Sequence, residues 1–301
     1  MQFSQAHLAA ILAFSSWGLF PIYWKVFVEV GAWDLFAHRL LWSFFTLILI
    51  LGLKKKLPLL KEIWKSRKTR YMLILSAILI SSNWLLYIYA VNVGKVLEAS
   101  MGYFLNPLIN VFMGWIILKE EIRKTQWPSI LLALIAIVLI ALQTNLDSFP
   151  WIAIVLSLTF ALYGLIRKVV HVGALEGLTF ETCIMILPIF VIWHFQPTTP
   201  ASIFQEIPTW KVLVLSLSGL VTCIPLILFA FAAKRLPLRT LGFIQYLSPS
   251  LKFLCGFLLF HEPLSSAKLQ AFYLIWIALG WYTTESYLFI RKNKKITPVS
   301  E

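Results

Sequence analysis

Long apolar stretches follow one another along almost the whole chain, and short loops that carry most of the charged residues separate them. Each stretch has about 17–25 residues, the length that an α-helix needs to cross the hydrocarbon core of a bilayer. Because that core offers no water to the backbone, such segments must form helices that pair their own N–H and C=O groups. The chain is 60% hydrophobic, with a mean hydropathy of +0.83. We therefore expect an all-α integral membrane protein.

The pattern predicts ten transmembrane helices. Their predicted bounds are 6–28, 34–53, 71–93, 97–118, 127–145, 150–166, 178–195, 211–232, 239–260 and 269–290. With the N-terminus in the cytoplasm, 20 of the 26 Lys and Arg residues fall on the cytoplasmic side and 4 on the other. This distribution follows the positive-inside rule, so we expect both termini in the cytoplasm. It also explains the net charge of +13 without nucleic acid as a partner, since the lipid bilayer is the surrounding medium.

The predicted fourth span carries small and polar residues on one helix face. They recur at steps of four residues: Glu98, Gly102, Asn106, Asn110 and Gly114. Pro107 lies among them and removes a helix hydrogen bond. Because polar groups are costly against lipid, this face must contact protein, substrate or a water-filled cavity.

The two halves of the chain match when one is laid over the other. Residues 106–122 then lie over 248–264, with a proline, a glycine and a glutamate in register. We therefore predict two five-helix repeats, 1–145 and 146–301, the second ending in a basic cytoplasmic tail. Because five is an odd number, the second repeat must enter the membrane from the opposite side. This inverted-topology repeat is a common plan of secondary transporters, with the substrate site between the halves.

Several short motifs carry a resemblance to a known family. They are His38-Arg39 followed by Trp42-Ser43 in span 2, Asn83-Trp84 in span 3, the segment 97–122, and GFIQYLSP at 242–249 in span 9. The chain resembles the RarD branch of the EamA family, in the drug/metabolite transporter superfamily, over nearly its whole length. This resemblance implies a ten-helix, 5+5 inner-membrane transporter of small metabolites or drugs.

We predict that polar and aromatic residues within the spans line the substrate pathway. They are His38, Arg39, Asn83, Trp84, Tyr87, Glu98, Tyr103, Asn106, Asn110, Tyr163, Glu181, Gln245, Tyr246, Ser248 and Lys252. Three of these, His38, Glu98 and Glu181, are also candidate proton carriers.

Residues near the ends of spans 2 to 4 each have a structural alternative. Arg39 either anchors its helix at the interface, paired with Asp34 or Glu29, or faces the external mouth and attracts an anion. Asn83 either bridges two helices or binds substrate. Glu98 either caps its helix or acts as a gate carboxylate, paired with Arg39 or Lys95.

For the polar residues that lie deeper in the spans, we favour a role in the substrate pathway. Asn106 and Asn110 either line a cavity, which we favour, or hold helices together. Lys252 lies halfway along span 9, outside the motifs that carry the family resemblance. A buried ammonium group needs a partner, so we expect a carboxylate, a backbone carbonyl or an anionic substrate there. Glu181 is a candidate partner.

These features favour a secondary transporter of a small-molecule substrate, working by alternating access as a monomer or homodimer. A membrane-embedded enzyme acting on lipid-type substrates and a non-transporting scaffold are the alternatives. The sequence has no phosphate-binding Gly-rich loop, metal-ligand set or G-x-S-x-G motif. We therefore expect no enzyme activity, cofactor or metal.

Overall fold

A computed structural model of the chain describes residues 4–92, 96–143, 150–195, 204, 207–259 and 266–296, and almost all of them are helical. The helices are α1 (Gln5–Trp24), α2 (Ala32–Leu53), α3 (Pro58–Lys65), α4 (Arg67–Asn92), α5 (Val96–Ile116), α6 (Trp127–Gln143), α7 (Trp151–Val169), α8 (Ala174–Phe195), α9 (Thr209–Ser216), α10 (Ser218–Arg235), α11 (Leu238–Gln245), α12 (Leu247–Leu254) and α13 (Ser266–Ile296). Single 3₁₀ turns follow α1 and precede α6, and a π-helical turn at Cys255–Leu259 continues α12.

Within the described part of the chain, seven helical segments are long and apolar enough to cross a membrane. They are Gln5–Phe27, Trp33–Leu53, Arg67–Tyr87, Trp151–Val169, Ala174–Phe195, Thr209–Arg235 and Leu238–Leu259. The predicted spans 4, 5 and 10 fall on α5, α6 and α13, which are not among these seven. The all-helical, multi-pass class is confirmed, and the number of ten spans stays a prediction.

Two local features depart from the predicted pattern. The basic loop 54–70 contains the short helix α3, whose Ile63 is buried against Leu73 of α4. The predicted ninth span is interrupted at Tyr246, where α11 gives way to α12. Pro249 explains the interruption, because it has no N–H to donate to the carbonyl four residues earlier, that of Gln245.

Helices from the two halves of the chain pack closely against one another. Helix α1 contacts α10 and α12, α5 contacts α7 and α11, and α2 contacts α8 and α10. Glycine permits two of these contacts: a Cβ atom on Gly18 would lie 2.6 Å from Cβ of Leu251, and one on Gly102 would lie 3.0 Å from the carbonyl oxygen of Ala153. The largest buried apolar cluster lies where α1, α2, α4, α7, α8 and α10 meet.

Candidate functional site

A narrow cavity, whose surface is mostly apolar, lies within this apolar cluster, between α2, α4, α7, α8 and α10. Its polar and aromatic lining comes from both halves of the chain and includes Ser43, Trp84, Tyr163, Glu181, Thr182 and Thr222. The space is closed to about the size of one water molecule. Because polar groups inside bilayer-spanning helices are costly, such a lining marks a candidate functional site. Three of the predicted pathway residues, Trp84, Tyr163 and Glu181, belong to it.

Glu181 forms a fully buried ion pair with Arg167 at the wall of this cavity. Arg167 Nη1 donates to Glu181 Oε1 over 3.3 Å, and the Ser76 hydroxyl donates to the same oxygen over 2.6 Å. Arg167 Nη2 donates to the carbonyl of Ala174 over 3.1 Å, which ties the pair to the turn between α7 and α8. Glu181 Oε2 has no hydrogen-bond partner within the described part of the chain. The predicted pairing of Glu181 with Lys252 is wrong, because Arg167 already balances the carboxylate charge.

Arg39 reaches from α2 across the bundle to α10. Its Nε donates to the hydroxyl of Thr222 over 3.0 Å, and its Cζ lies 4.1 Å from the ring centroid of Trp84. Both contacts are with residues that line the cavity, so Arg39 borders the cavity as well. The predicted ion pair of Arg39 with Asp34 or Glu29 is wrong, because Arg39 contacts neither carboxylate. Glu29 binds Lys211 instead, and this hydrogen bond lowers the pKa of Glu29.

Lys252 and Tyr103 bring α12 and α5 to the same region. Lys252 Nζ lies 4.1 Å from the ring centroid of Tyr103. The hydroxyl of Tyr103 is close enough to Arg39 for the two groups to interact electrostatically. Among the described residues, no carboxylate lies within 4.0 Å of the charged group of Arg39 or Lys252. Two cations thus converge on one phenol ring without a described counter-ion.

Asn106, Asn110 and Gln245 form a buried cluster of amides between α5 and α11. Asn106 Oδ1 accepts hydrogen bonds from Asn110 over 3.1 Å and from Gln245 over 2.9 Å, and Asn110 donates to Gln245 Oε1 over 2.8 Å. The two helices are in close contact, because a Cβ on Gly242 would lie 2.5 Å from the carbonyl oxygen of Pro107. The cluster therefore joins the two halves and does not line the described cavity. Its part in the pathway stays a prediction.

Two further predicted residues lie in α4. Asn83 donates to the backbone carbonyl of Leu156 over 2.7 Å and to the hydroxyl of Thr159 over 2.9 Å. Asn83 thereby bridges α4 and α7, which is the helix-bridging role given above as the alternative to substrate binding. Tyr87 packs edge-on against Tyr103, with 5.9 Å between the ring centroids, and is 38% exposed.

Three further predicted residues, His38, Tyr246 and Ser248, lie outside the cavity lining. His38 is buried among aromatic rings, and Tyr246 and Ser248 are buried at the junction of α11 and α12. Glu98 belongs to α5, but its side chain lies outside what the structure describes, and so does Lys95. The gate contact proposed for Glu98 stays a prediction.

The site also contains functional candidates that the sequence reasoning missed. The count of loop charges assigns Arg167 to a cytoplasmic loop, whereas its side chain is fully buried. A carboxylate in the next apolar stretch, Glu181, is a signal that a cation must lie nearby. The register that lays residues 106–122 over 248–264 also lays Arg39 over Glu181, so the two occupy equivalent positions in the predicted repeats. For Thr222 no such signal exists, because threonine is unremarkable in a membrane helix.

The chain is similar to a family of membrane proteins and to several of its named members. The model of the EamA-like transporter family matches residues 4–142. Protein RarD of Salmonella typhimurium is 39% identical, over 97% of this chain and 99% of its own. The Uncharacterized transporter PA0485 of Pseudomonas aeruginosa is 39% identical over 96% of each chain. The Uncharacterized transporter YojE of Bacillus subtilis is 39% identical, over 94% of this chain and 95% of its own.

A protein of known crystal structure shares the fold. It superposes with a TM-score of 0.72 over 93% of this chain and 98% of its own, at 17% sequence identity. At this level of identity the similarity concerns the fold alone.

Proposed function

Since the chain belongs to the RarD branch of the EamA family, we propose that it is a secondary transporter of small metabolites or drugs in the cell inner membrane. The observation that carries this proposal is the cavity at which helices of both halves meet, lined by the buried carboxylate of Glu181 and bordered by Arg39. A site between two halves that rock against each other suits alternating access. The names of the relatives, several of them transporters, support the same function.

The packing of the helices supports the arrangement of two inverted repeats. In the register that lays Pro107 over Pro249, α1 corresponds to α7, α2 to α8, α4 to α9 with α10, α5 to α11 with α12, and α6 to α13. The contacts come in matching pairs: α4 packs on α7 as α10 packs on α1, α5 on α7 as α12 on α1, and α2 on α10 as α8 on α4. Elements that correspond to each other also touch, as α2 and α8, α5 and α11, and α6 and α13 do. We therefore favour ten spans, with repeats at 1–145 and 146–301 and both termini in the cytoplasm.

Ionic contacts join helices at both ends of the bundle, and we propose that they help to hold the cavity closed. On the side that we assign to the cytoplasm, Lys56 Nζ lies 2.6 Å from Glu176 Oε1 and links the loop after α2 to the start of α8. On the opposite side, Lys211 of α9 binds Glu29 in the loop after α1. In an alternating-access cycle, the contacts at one end would open while those at the other end hold.

Uptake by purified protein in liposomes tests the function directly. We expect flux of at least one compound in a panel of metabolites and drugs, and we expect Asn106→Leu and Lys252→Leu to abolish it while the variants still insert. Lys61→Leu removes an exposed charge on α3 and serves as the matched control. Absence of flux for every compound, with correctly folded protein, would count against transport. Full activity of both site variants would remove these residues from the pathway.

A further inference from the structure

We propose that the transported compound is an organic anion whose carboxylate or phosphate group binds between Arg39 and Lys252, beside Tyr103. This inference rests on the proposed transport function and names the substrate class. It starts from the contacts of the two cations, which belong to different halves of the chain.

The charges inside the bundle are balanced at Glu181 but not, among the described residues, at Arg39 and Lys252. Arg39 and Glu181 occupy equivalent positions in the two halves of the chain. Glu181 has its counter-ion in Arg167. Arg39 has no carboxylate within 4.0 Å among the described residues, and the same holds for Lys252. An intramembrane charge is costly, so two cations without a counter-ion among the described residues indicate a site that an anion completes.

The hydrogen-bond donors of Arg39 are arranged to bind an anion. Within the described part of the chain, Arg39 donates only through Nε, to Thr222. Its two Nη groups therefore remain for the two-pronged contact that a carboxylate or phosphate accepts. Trp84 lies against the guanidinium with 4.1 Å between Cζ and the ring centroid, and it restricts the orientation of that group. Arg39, Lys252 and Tyr103 are each half-buried within the bundle.

Aromatic side chains beside the two cations suit the rest of the ligand. Tyr103 holds Lys252 over its face and packs against Tyr87 at its edge, so aromatic surface lies beside both cations. Such surface suits the apolar or aromatic part of an organic molecule. A compact anionic group attached to an apolar body therefore matches the site better than an inorganic ion does.

Binding to purified protein in neutral detergent tests the inference with three probes that share a phenyl ring. Benzoate carries a carboxylate, phenyl phosphate carries a phosphate, and benzamide carries no charge. We expect benzoate or phenyl phosphate to raise the thermal unfolding midpoint in a concentration-dependent way and to give a calorimetric binding signal. Benzamide should do neither. The stronger of the two anions identifies the preferred group.

Charge-neutralising variants locate the site. Arg39→Gln and Lys252→Gln should each weaken anion binding by about tenfold or more. Lys252→Arg should retain binding, and Lys61→Gln, which removes a charge from the exposed face of α3, should leave it unchanged. If Arg39→Gln does not fold, the comparison of Lys252→Gln with Lys252→Arg shows whether anion binding needs the positive charge.

Three results would overturn the inference. Equal binding of benzamide and benzoate would show that charge is not recognised. Unchanged anion binding in the folded Arg39→Gln/Lys252→Gln variant would place the site elsewhere. If benzoate binds to Glu98→Gln but not to the unsubstituted protein, Glu98 is the counter-ion of the two cations. Because these experiments measure binding, their failure alongside observed flux would remove the substrate class and leave the transport function standing.

Discussion

Replacing Arg167 by methionine should make the stability of the protein depend on pH. Methionine keeps much of the side-chain volume but leaves the buried carboxylate of Glu181 with the Ser76 hydroxyl as its one hydrogen-bond donor among the described residues. An unpaired charge in this environment is too costly to keep, so the carboxyl group must bind a proton to stay buried. At pH 7, protonating a group with the ordinary glutamate pKa of about 4.3 costs about 3.7 kcal/mol. This agrees with the loss of about 3–5 kcal/mol known for breaking buried ion pairs.

The sign of the pH dependence follows from the protons bound. At pH 7 the folded variant binds one proton at Glu181 that the unfolded chain does not bind, so its deficit grows with pH by about 1.4 kcal/mol per unit. The deficit of Arg167→Met should therefore shrink from about 3.7 kcal/mol at pH 7 to about 1 kcal/mol at pH 5. The free energy of unfolding, measured by SDS titration and circular dichroism at pH 5, 6 and 7, checks this.

A double variant serves as the control. Arg167→Met/Glu181→Gln has no buried carboxyl group, and its amide can still accept the hydrogen bond from Ser76. We expect it to be more stable than Arg167→Met at pH 7 and to show no change in its deficit with pH. A deficit of Arg167→Met that stays constant from pH 7 to pH 5 would refute the reasoning. So would a double variant that is as unstable as the single one.

Four further substitutions test the packing, the amide cluster and one helix cap. Gly219→Ala would press a methyl group against the backbone of Trp42, so we expect a loss of about 1–3 kcal/mol in thermal unfolding. A methyl group at Gly280→Ala meets open space, so this substitution should be neutral or stabilising by up to about 1 kcal/mol. Equal losses of stability in Gly219→Ala and Gly280→Ala would contradict the described packing. Asn106→Ala removes the acceptor that two amides share and should lower the free energy of unfolding in SDS by about 1–3 kcal/mol. An unchanged free energy of unfolding would contradict this. Glu120→Gln weakens the cap on the first two N–H groups of α11, so we expect faster hydrogen exchange of these amides. Unchanged exchange would contradict the cap.

The positions of most helices could be predicted because the length of an apolar stretch is a property of the sequence alone. The second span is predicted at 34–53 and α2 is observed at Ala32–Leu53. Helix α3 could not be predicted in this way, because its eight residues lie in a strongly charged loop. The interruption of span 9 at Tyr246 has a sequence signal in Pro249, but only the structure shows that the helix breaks there.

The candidate site could be predicted in its members but not in its contacts. Polar or aromatic residues in apolar stretches are conspicuous, and this identifies Glu181, Tyr163 and Trp84. Their partners depend on how each helix is rotated about its axis. The contact of Arg39 with Thr222 requires α2 and α10 to face each other, which spacing along the chain does not encode.

The accessibility of Cys223 tests the central claim most directly, namely that this cavity opens alternately to the two sides of the membrane. Cys223 lines the cavity, is 1% exposed, and is one of three free cysteines with Cys183 and Cys255. In a Cys183→Ser/Cys255→Ser variant reconstituted in one orientation, a membrane-impermeant maleimide can be applied to either face. The account predicts that Cys223 is labelled slowly from both faces. Labelling from one face only, or from neither in folded protein, would contradict it.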